Sequence, residues 1–166
     1  MDIMDDNLAG RVALVTGACG GIGRAICQRL AAEGVRLVLV DRDAEGVEAL
    51  ASSLASDTFV SVVDVSDAEA VASQHEHIVR QFSGIDILVN CAGILSNNKL
   101  LTTDPAEWRH VMSVNLDSAL YWSQAVVPRM RDKGFGRIIN ITSFAWKAGG
   151  LTAGTAYTTS KGGMVS

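Results

Sequence analysis

Tyr157 and Lys161 stand four residues apart in the run Tyr157-Thr158-Thr159-Ser160-Lys161, a spacing that puts both side chains on one face of a helix. A phenol in water releases its proton at a pH of about 10, so a phenol that acts as a base near neutrality must be made roughly a thousandfold more acidic, at about 4 kcal/mol. One ammonium ~4 Å away, at an effective dielectric of ~20, is worth about that much. Such a pair could trade a proton with an alcohol. An ordinary amphipathic helix carrying both residues by chance is the alternative, and the spacing alone does not dismiss it. Ser143, in Asn140-Ile141-Thr142-Ser143, carries a hydroxyl able to donate to a substrate oxygen as charge develops there. Thr142 beside it competes for that part.

A second group of residues could hold a nucleotide. Thr16-Gly17-Ala18-Cys19-Gly20-Gly21-Ile22-Gly23 sits between an apolar run and a helix-like stretch. Glycines there allow a tight turn, let the backbone approach a pyrophosphate, and let the helix pack close to the strand. The amides at the helix N-terminus then face the phosphates. A glycine-rich turn without ligand is the plain alternative. Asp41 lies 18 residues beyond Gly23, near the ~20-residue offset of an acidic ribose ligand. Its carboxylate would accept from the adenosine ribose hydroxyls and repel a 2′-phosphate, favouring NAD over NADP. Arg42 pulls the other way, as a cation beside the ribose.

These groups need elements to position them. Apolar runs rich in Val, Ile and Leu recur at 11–16, 36–40, 58–63, 86–89 and 137–141, and their continuity suits strands covered on both faces of a parallel sheet. Helix-like stretches lie between them: 22–33 before Gly34, 43–55, 67–82 with Asp67 as its cap, and a long one over 104–133. The last opens on Asp104-Pro105, a cap followed by proline at the first helical position. Pro128 should bend it near its end. Strand–helix alternation of this kind predicts right-handed crossovers and a doubly wound, three-layer Rossmann-type α/β/α fold. The expected organisation is one such domain over 8–166 behind a short acidic leader, 1–7.

The glycine pattern Gly-x-x-x-Gly-x-Gly together with the Tyr157–Lys161 run resembles the classical short-chain dehydrogenase/reductase family from about Leu8 to Ser166. Asp64-Val65, Asn90-Cys91-Ala92-Gly93, Asn115 and Ser143 follow in the order that family shows, with Cys91 where an asparagine is common. The resemblance implies an NAD(P)-dependent oxidoreductase that moves a hydride between a nicotinamide and a secondary alcohol or ketone. It implies Asn115, Ser143, Tyr157 and Lys161 as the catalytic group, with the Asn115 main chain holding a water that passes protons to Lys161. Gly17, Gly21, Ile22, Gly23, Asp41, Asp64, Val65, Asn90, Ala92, Gly93, Tyr157 and Lys161 would hold the cofactor, Asp64 and Val65 at the adenine and Asn90, Ala92 and Gly93 at the nicotinamide. It also implies a homo-oligomer, dimer or tetramer, and a fold that continues past the tyrosine helix. The family resemblance thus reads the chain as C-terminally truncated, with the fifth strand left as an exposed apolar edge. A dinucleotide binder without turnover, or a fragment that pairs with a longer relative, is the alternative.

Composition narrows the partners. At 166 residues with 48% hydrophobic content and two prolines the chain is expected to fold. A net charge of −4 without runs of Lys or Arg argues against nucleic acid and anionic membranes. The acidic start is unlike a signal peptide, so a cytoplasmic protein is expected. Cys19, Cys27 and Cys91 form no CxxC pair, and His75, His77 and His110 no metal pattern, so no metal site is expected.

Overall fold

In a computed structural model that describes residues 8–166, five strands and six α-helices alternate along the chain. The acidic leader at 1–7 lies outside the described residues. In order these are β1 (Val12–Thr16), α1 (Gly21–Ala32), β2 (Arg36–Asp41), α2 (Ala44–Ser53), β3 (Thr58–Val62), α3 (Ala68–Gln81), β4 (Ile87–Asn90), α4 (Pro105–Met112), α5 (Ser118–Lys133), β5 (Arg137–Asn140) and α6 (Thr155–Val165). The strands pair in the order β3-β2-β1-β4-β5, every neighbour parallel. This is the doubly wound sheet that the alternation predicts, with a switch point between β1 and β4 where a cleft opens beyond the strand ends.

Successive side chains of a strand face opposite ways, and the apolar runs divide accordingly. Val12, Leu14, Val38, Val40 and Leu88 meet α3 and α5 through Val71, Ile78, Trp122, Val126 and Met130. Ala13, Val15, Leu37, Leu39, Ile87 and Val89 meet α1 and α2 through Cys27, Ala31, Val47 and Leu50. That double cover is why β1, β2 and β4 read as unbroken hydrophobic runs. The fifth run departs from it. All four residues of β5 are exposed, Ile138 at 39% and Ile139 at 47%; the strand pairs only with β4, and none of its residues belongs to either apolar core.

Helix ends follow the side chains at hand. Asp43, Asp67 and Asp104 cap α2, α3 and α4 by accepting from amides in the first turn, each contact stabilising a helix start by about 1 kcal/mol. Gly134 ends α5 in the left-handed region at φ 66, and the helix continues past Pro128 to reach it. The single long helix expected over 104–133 is continuous from Pro105 to Lys133 but not regular. A π turn over Ser113–Asp117 separates α4 from α5, and Asn115 lies at its centre with no exposed surface. An asparagine that seeks backbone partners elsewhere weakens the regular ladder at that point.

Candidate active site

The loop between β1 and α1 is shaped by glycines for separate reasons. Gly17 takes φ 66, and a Cβ there would come within 2.8 Å of the Ala92 backbone. A Cβ on Gly23 would overlap the Gly17 carbonyl oxygen. Both are demanded by the protein's own packing. Gly21 is not: a Cβ there meets nothing within 4 Å. It begins α1, whose N-terminus has no side-chain cap, so unsatisfied helix amides stand at an open cradle of the kind that takes phosphate.

Around this cradle runs a cleft of about 480 Å³ lined by Gly17, Gly21, Ile22, Gly23, Asp41, Asp64, Val65, Ala92 and Gly93 among the residues anticipated for a cofactor. Cys19, Arg42, Asp43, Ile94 and Val114 line it as well. Asp41 is held in place by two backbone donors, Cys19 N–H to Oδ2 at 2.9 Å and Asp43 N–H to Oδ1 at 3.1 Å. Burial, reinforced by the Asp41 carboxylate, pushes the Cys19 thiol up to about 11. At Asp64 the Ser66 hydroxyl and amide donate to Oδ1 at 2.7 and 2.9 Å. Those bonds hold its carboxyl below the usual range, with smaller help from the positive fields of Arg42 and His110.

The opposite wall is tied to the glycine loop by Thr16, a residue that sequence reasoning passes over. Its hydroxyl oxygen accepts from the amides of Cys91 and Ala92, at 3.0 and 3.1 Å, and the side chain is 1% exposed. A threonine closing a strand carries no motif signal of its own. Asn90, like Tyr157 and Lys161, differs from the other anticipated cofactor residues. It is buried, donates from Nδ2 to Asn140 Oδ1 at 2.8 Å across β4 and β5, and does not line the cleft.

Asn115 grips the wall from behind. Its Oδ1 accepts from Ile94 N–H at 2.8 Å while its Nδ2 donates to Ile94 O and to Ser160 Oγ, both at 3.0 Å. Through Ser160 the wall meets α6, the helix of Tyr157 and Lys161. A Cβ on Gly93 would be 3.4 Å from both Asn115 Oδ1 and Lys161 Nζ, so glycine there lets the amine approach the wall.

Lys161 is 4% exposed. Its amine donates to Ile141 O at 2.8 Å and lies 3.5 Å from Met164 Sδ; among the described residues no carboxylate pairs with it. Burial therefore lowers its pKa, with the neighbouring Cys91 thiol acting the other way. Tyr157 is half-buried one turn earlier, in the same helix. Ser143 caps a 3-10 turn over Phe144–Trp146, its Oγ accepting from Ala145 N–H at 3.2 Å, which leaves its proton free to donate. Thr142 is already committed: its hydroxyl donates to Lys161 O at 2.8 Å. The chain thus gathers Asn115 and Lys161 at Gly93, beside the cleft, while Ser143, Tyr157 and Lys161 stand outside its lining. A buried unpaired amine, a nearby phenol and an uncommitted hydroxyl are able to manage a proton at an oxygen atom.

Comparison with known proteins gives consistent relationships. A family described as short chain dehydrogenase matches residues 11–166. The chain is 38% identical over 158 residues to the 3-oxoacyl-(acyl-carrier-protein) reductase FabG of Haemophilus influenzae, covering 95% of this chain and 65% of that protein. It is 39% identical over 164 residues to the D-threitol dehydrogenase of Mycolicibacterium smegmatis, covering 97% and 63%. The crystal structure of a metagenomic short-chain oxidoreductase in complex with NADP superposes with a TM-score of 0.86 at 37% identity, covering 96% of this chain and 73% of that one. The chain therefore spans somewhat less than two thirds of the length of these two curated relatives.

Proposed function

The chain belongs to the short-chain dehydrogenase family, and on that premise we propose that it binds a nicotinamide dinucleotide along the cleft and interconverts a secondary alcohol and its ketone. The observation that carries this reading is Lys161, an amine only 4% exposed, without a carboxylate partner among the described residues, and brought to Gly93. The residues fit the cofactor. Gly17, Gly21, Ile22 and Gly23 would receive the pyrophosphate at the open N-terminus of α1. Asp64 and Val65 would hold the adenine, and Ala92 and Gly93, with Asn90 behind them, the nicotinamide side. Asp41, already aimed by Cys19 and Asp43, would accept from the adenosine ribose hydroxyls. A carboxylate there disfavours a 2′-phosphate, so NAD is the proposed partner in preference to NADP, even though Arg42 adjoins it and one relative was crystallised with NADP.

When bound, the dinucleotide would accept or supply the hydride. Tyr157 would take the proton from the alcohol oxygen, or return it to the ketone. Lys161 would make that exchange possible near neutrality, because a cation next to a phenol favours phenolate. Ser143 would donate to the substrate oxygen; Thr142 cannot, its proton being engaged with Lys161 O. Asn115, locked to Ile94 and Ser160, would present its main chain to a water that refills Lys161. Small alcohols or ketones, a homo-oligomeric state and a cytoplasmic setting complete the proposal.

A second reading has its own support. The cleft is formed at its dinucleotide end, whereas Ser143, Tyr157 and Lys161 do not line it, and β5 is bare. Dinucleotide binding without turnover fits those two facts. Titrating the chain with NADH by fluorescence, followed by turnover with a panel of secondary alcohols, separates the readings. Under the first, Tyr157→Phe abolishes turnover and leaves dinucleotide affinity within about threefold, well inside the tenfold that 1.4 kcal/mol would produce. Unchanged turnover would mean that another group handles the proton. Saturable binding with no turnover in the parent chain would establish the second reading.

A further inference from the structure

Between the cleft wall and α6 runs a short segment, residues 96–99, that is gripped from two sides. From α4, the Glu107 carboxylate accepts from the Ser96 hydroxyl and, at 2.6 Å, from Asn98 Nδ2. From α6, the Gly154 and Thr155 amides donate to Ser96 O and Asn98 O at 2.7 and 2.9 Å. Those amides are among the donors that every helix start leaves unsatisfied, and no side chain caps α6. The segment acts as the missing cap from more than 50 residues away. It sits so close that a Cβ on Gly154 would be 2.6 Å from Asn98 O.

Lys99 completes the grip. Its Nζ donates to Gly150 O and Ala153 O, both at 2.6 Å, the short length expected of charge-assisted bonds. The two carbonyls belong to the loop that leads into α6. The same segment follows directly on Gly93 and Ile94 of the cleft wall. Lys99 therefore joins the cofactor wall to the start of the helix bearing Tyr157 and Lys161, yet belongs to neither apolar core.

We infer that Lys99 is a positioning residue: by holding the Gly150 and Ala153 carbonyls it fixes the start of α6 against the cleft wall, and so keeps the Lys161 amine buried at Gly93. The inference deepens the acid–base reading above and rests on it. Lys99 acts through α6 and touches no reacting atom.

Lys99→Met keeps the aliphatic stem and removes the donors, and Lys99→Arg supplies a cation able to bridge two carbonyls. Lys161 in the full chain is titrated by side-chain NMR, alongside hydrogen exchange at the Gly154 and Thr155 amides. In the parent, the Lys161 midpoint should fall below the ordinary lysine value. In Lys99→Met it should move back up toward that value, with exchange at both amides at least about tenfold faster as the helix start opens; Lys99→Arg should restore both. A lower melting temperature for Lys99→Met, with the Lys161 midpoint and the exchange rates unchanged, overturns the inference. If Lys161 titrates at the ordinary lysine value in the parent, the acid–base reading fails separately. Amide exchange then decides for Lys99, and no acceleration in Lys99→Met overturns its role.

Discussion

Two glycines of the first turn of α1, Gly21 and Gly23, should respond to the same substitution in opposite ways. Gly23→Ala drives a methyl group onto the Gly17 carbonyl oxygen, a backbone atom that has no rotamer in which to escape. Overpacking of this sort costs about 1–3 kcal/mol or more. Gly21→Ala places the same methyl where, its chain neighbours and its own helix backbone aside, no atom of the described residues lies within 4 Å, at the first position of α1. Alanine loses less backbone freedom than glycine, so stability should hold or rise by up to about 1 kcal/mol. For a chain of this size that amounts to roughly 2–4 °C in Tm. The space is nevertheless where a pyrophosphate would meet the backbone, and a methyl group there should weaken dinucleotide binding by about 1–3 kcal/mol, or roughly 5- to 150-fold. Thermal melts and NADH fluorescence on both variants give the four numbers needed. Gly21→Ala with parental affinity would show that no ligand uses the cradle. A marked loss of stability in Gly21→Ala would show that the open space beside it is not open.

Other perturbations have equally definite outcomes. Thr16→Val removes the oxygen that two partly buried amides share, and should cost roughly 2 kcal/mol by chemical denaturation, with Thr16→Ser recovering most of it. Asp41→Ala frees the Cys19 and Asp43 amides of their acceptor; competition binding should show NADPH gaining on NADH, and an unchanged ratio would move the selectivity to another residue. Burial lowers the Lys161 pKa, so between that lowered value and the ordinary lysine value the unfolded chain holds a proton that the folded chain has shed. Stability should therefore rise with pH through that window, and Lys161→Met, which keeps the apolar stem, should flatten the rise in denaturation curves measured across it.

The features legible in the sequence are those that local chemistry decides. Val, Ile and Leu in unbroken runs announce β1, β2 and β4 because helices cover both faces of each. Asp43, Asp67 and Asp104 announce helix starts because a cap is a contact over two or three residues. Gly17 and Gly23 are readable because the turn itself requires them. The remainder depends on contacts distant in sequence. Thr16 gains its role only when Cys91 and Ala92 arrive across the switch point. Asn90 turns to Asn140 because β5 lies alongside, a partner 50 residues away. The break at Asn115 shows locally only as a mediocre helix former, since its partners are Ile94 and Ser160. The bareness of β5 has no sign in Ile138 and Ile139, whose type matches any buried strand; it is expected only through the family resemblance, which leaves that strand an exposed apolar edge.

The π turn over Ser113–Asp117 also gives one extra residue a place between two helices. Removing one residue there would let the chain close into an uninterrupted α-helix, a gain in local regularity. Each residue of such a helix advances the azimuth by about 100°. A turn closed by i→i+5 bonds spends about one more residue than an α turn on the same rotation, so the deletion would leave α4 and α5 nearly in phase and would act locally, where Asn115 reaches Ile94 and Ser160. A repair of the helix would cost the wall its hold through Asn115 while leaving the two flanking helices in place, so the extra residue serves the wall and not the packing of α4 and α5.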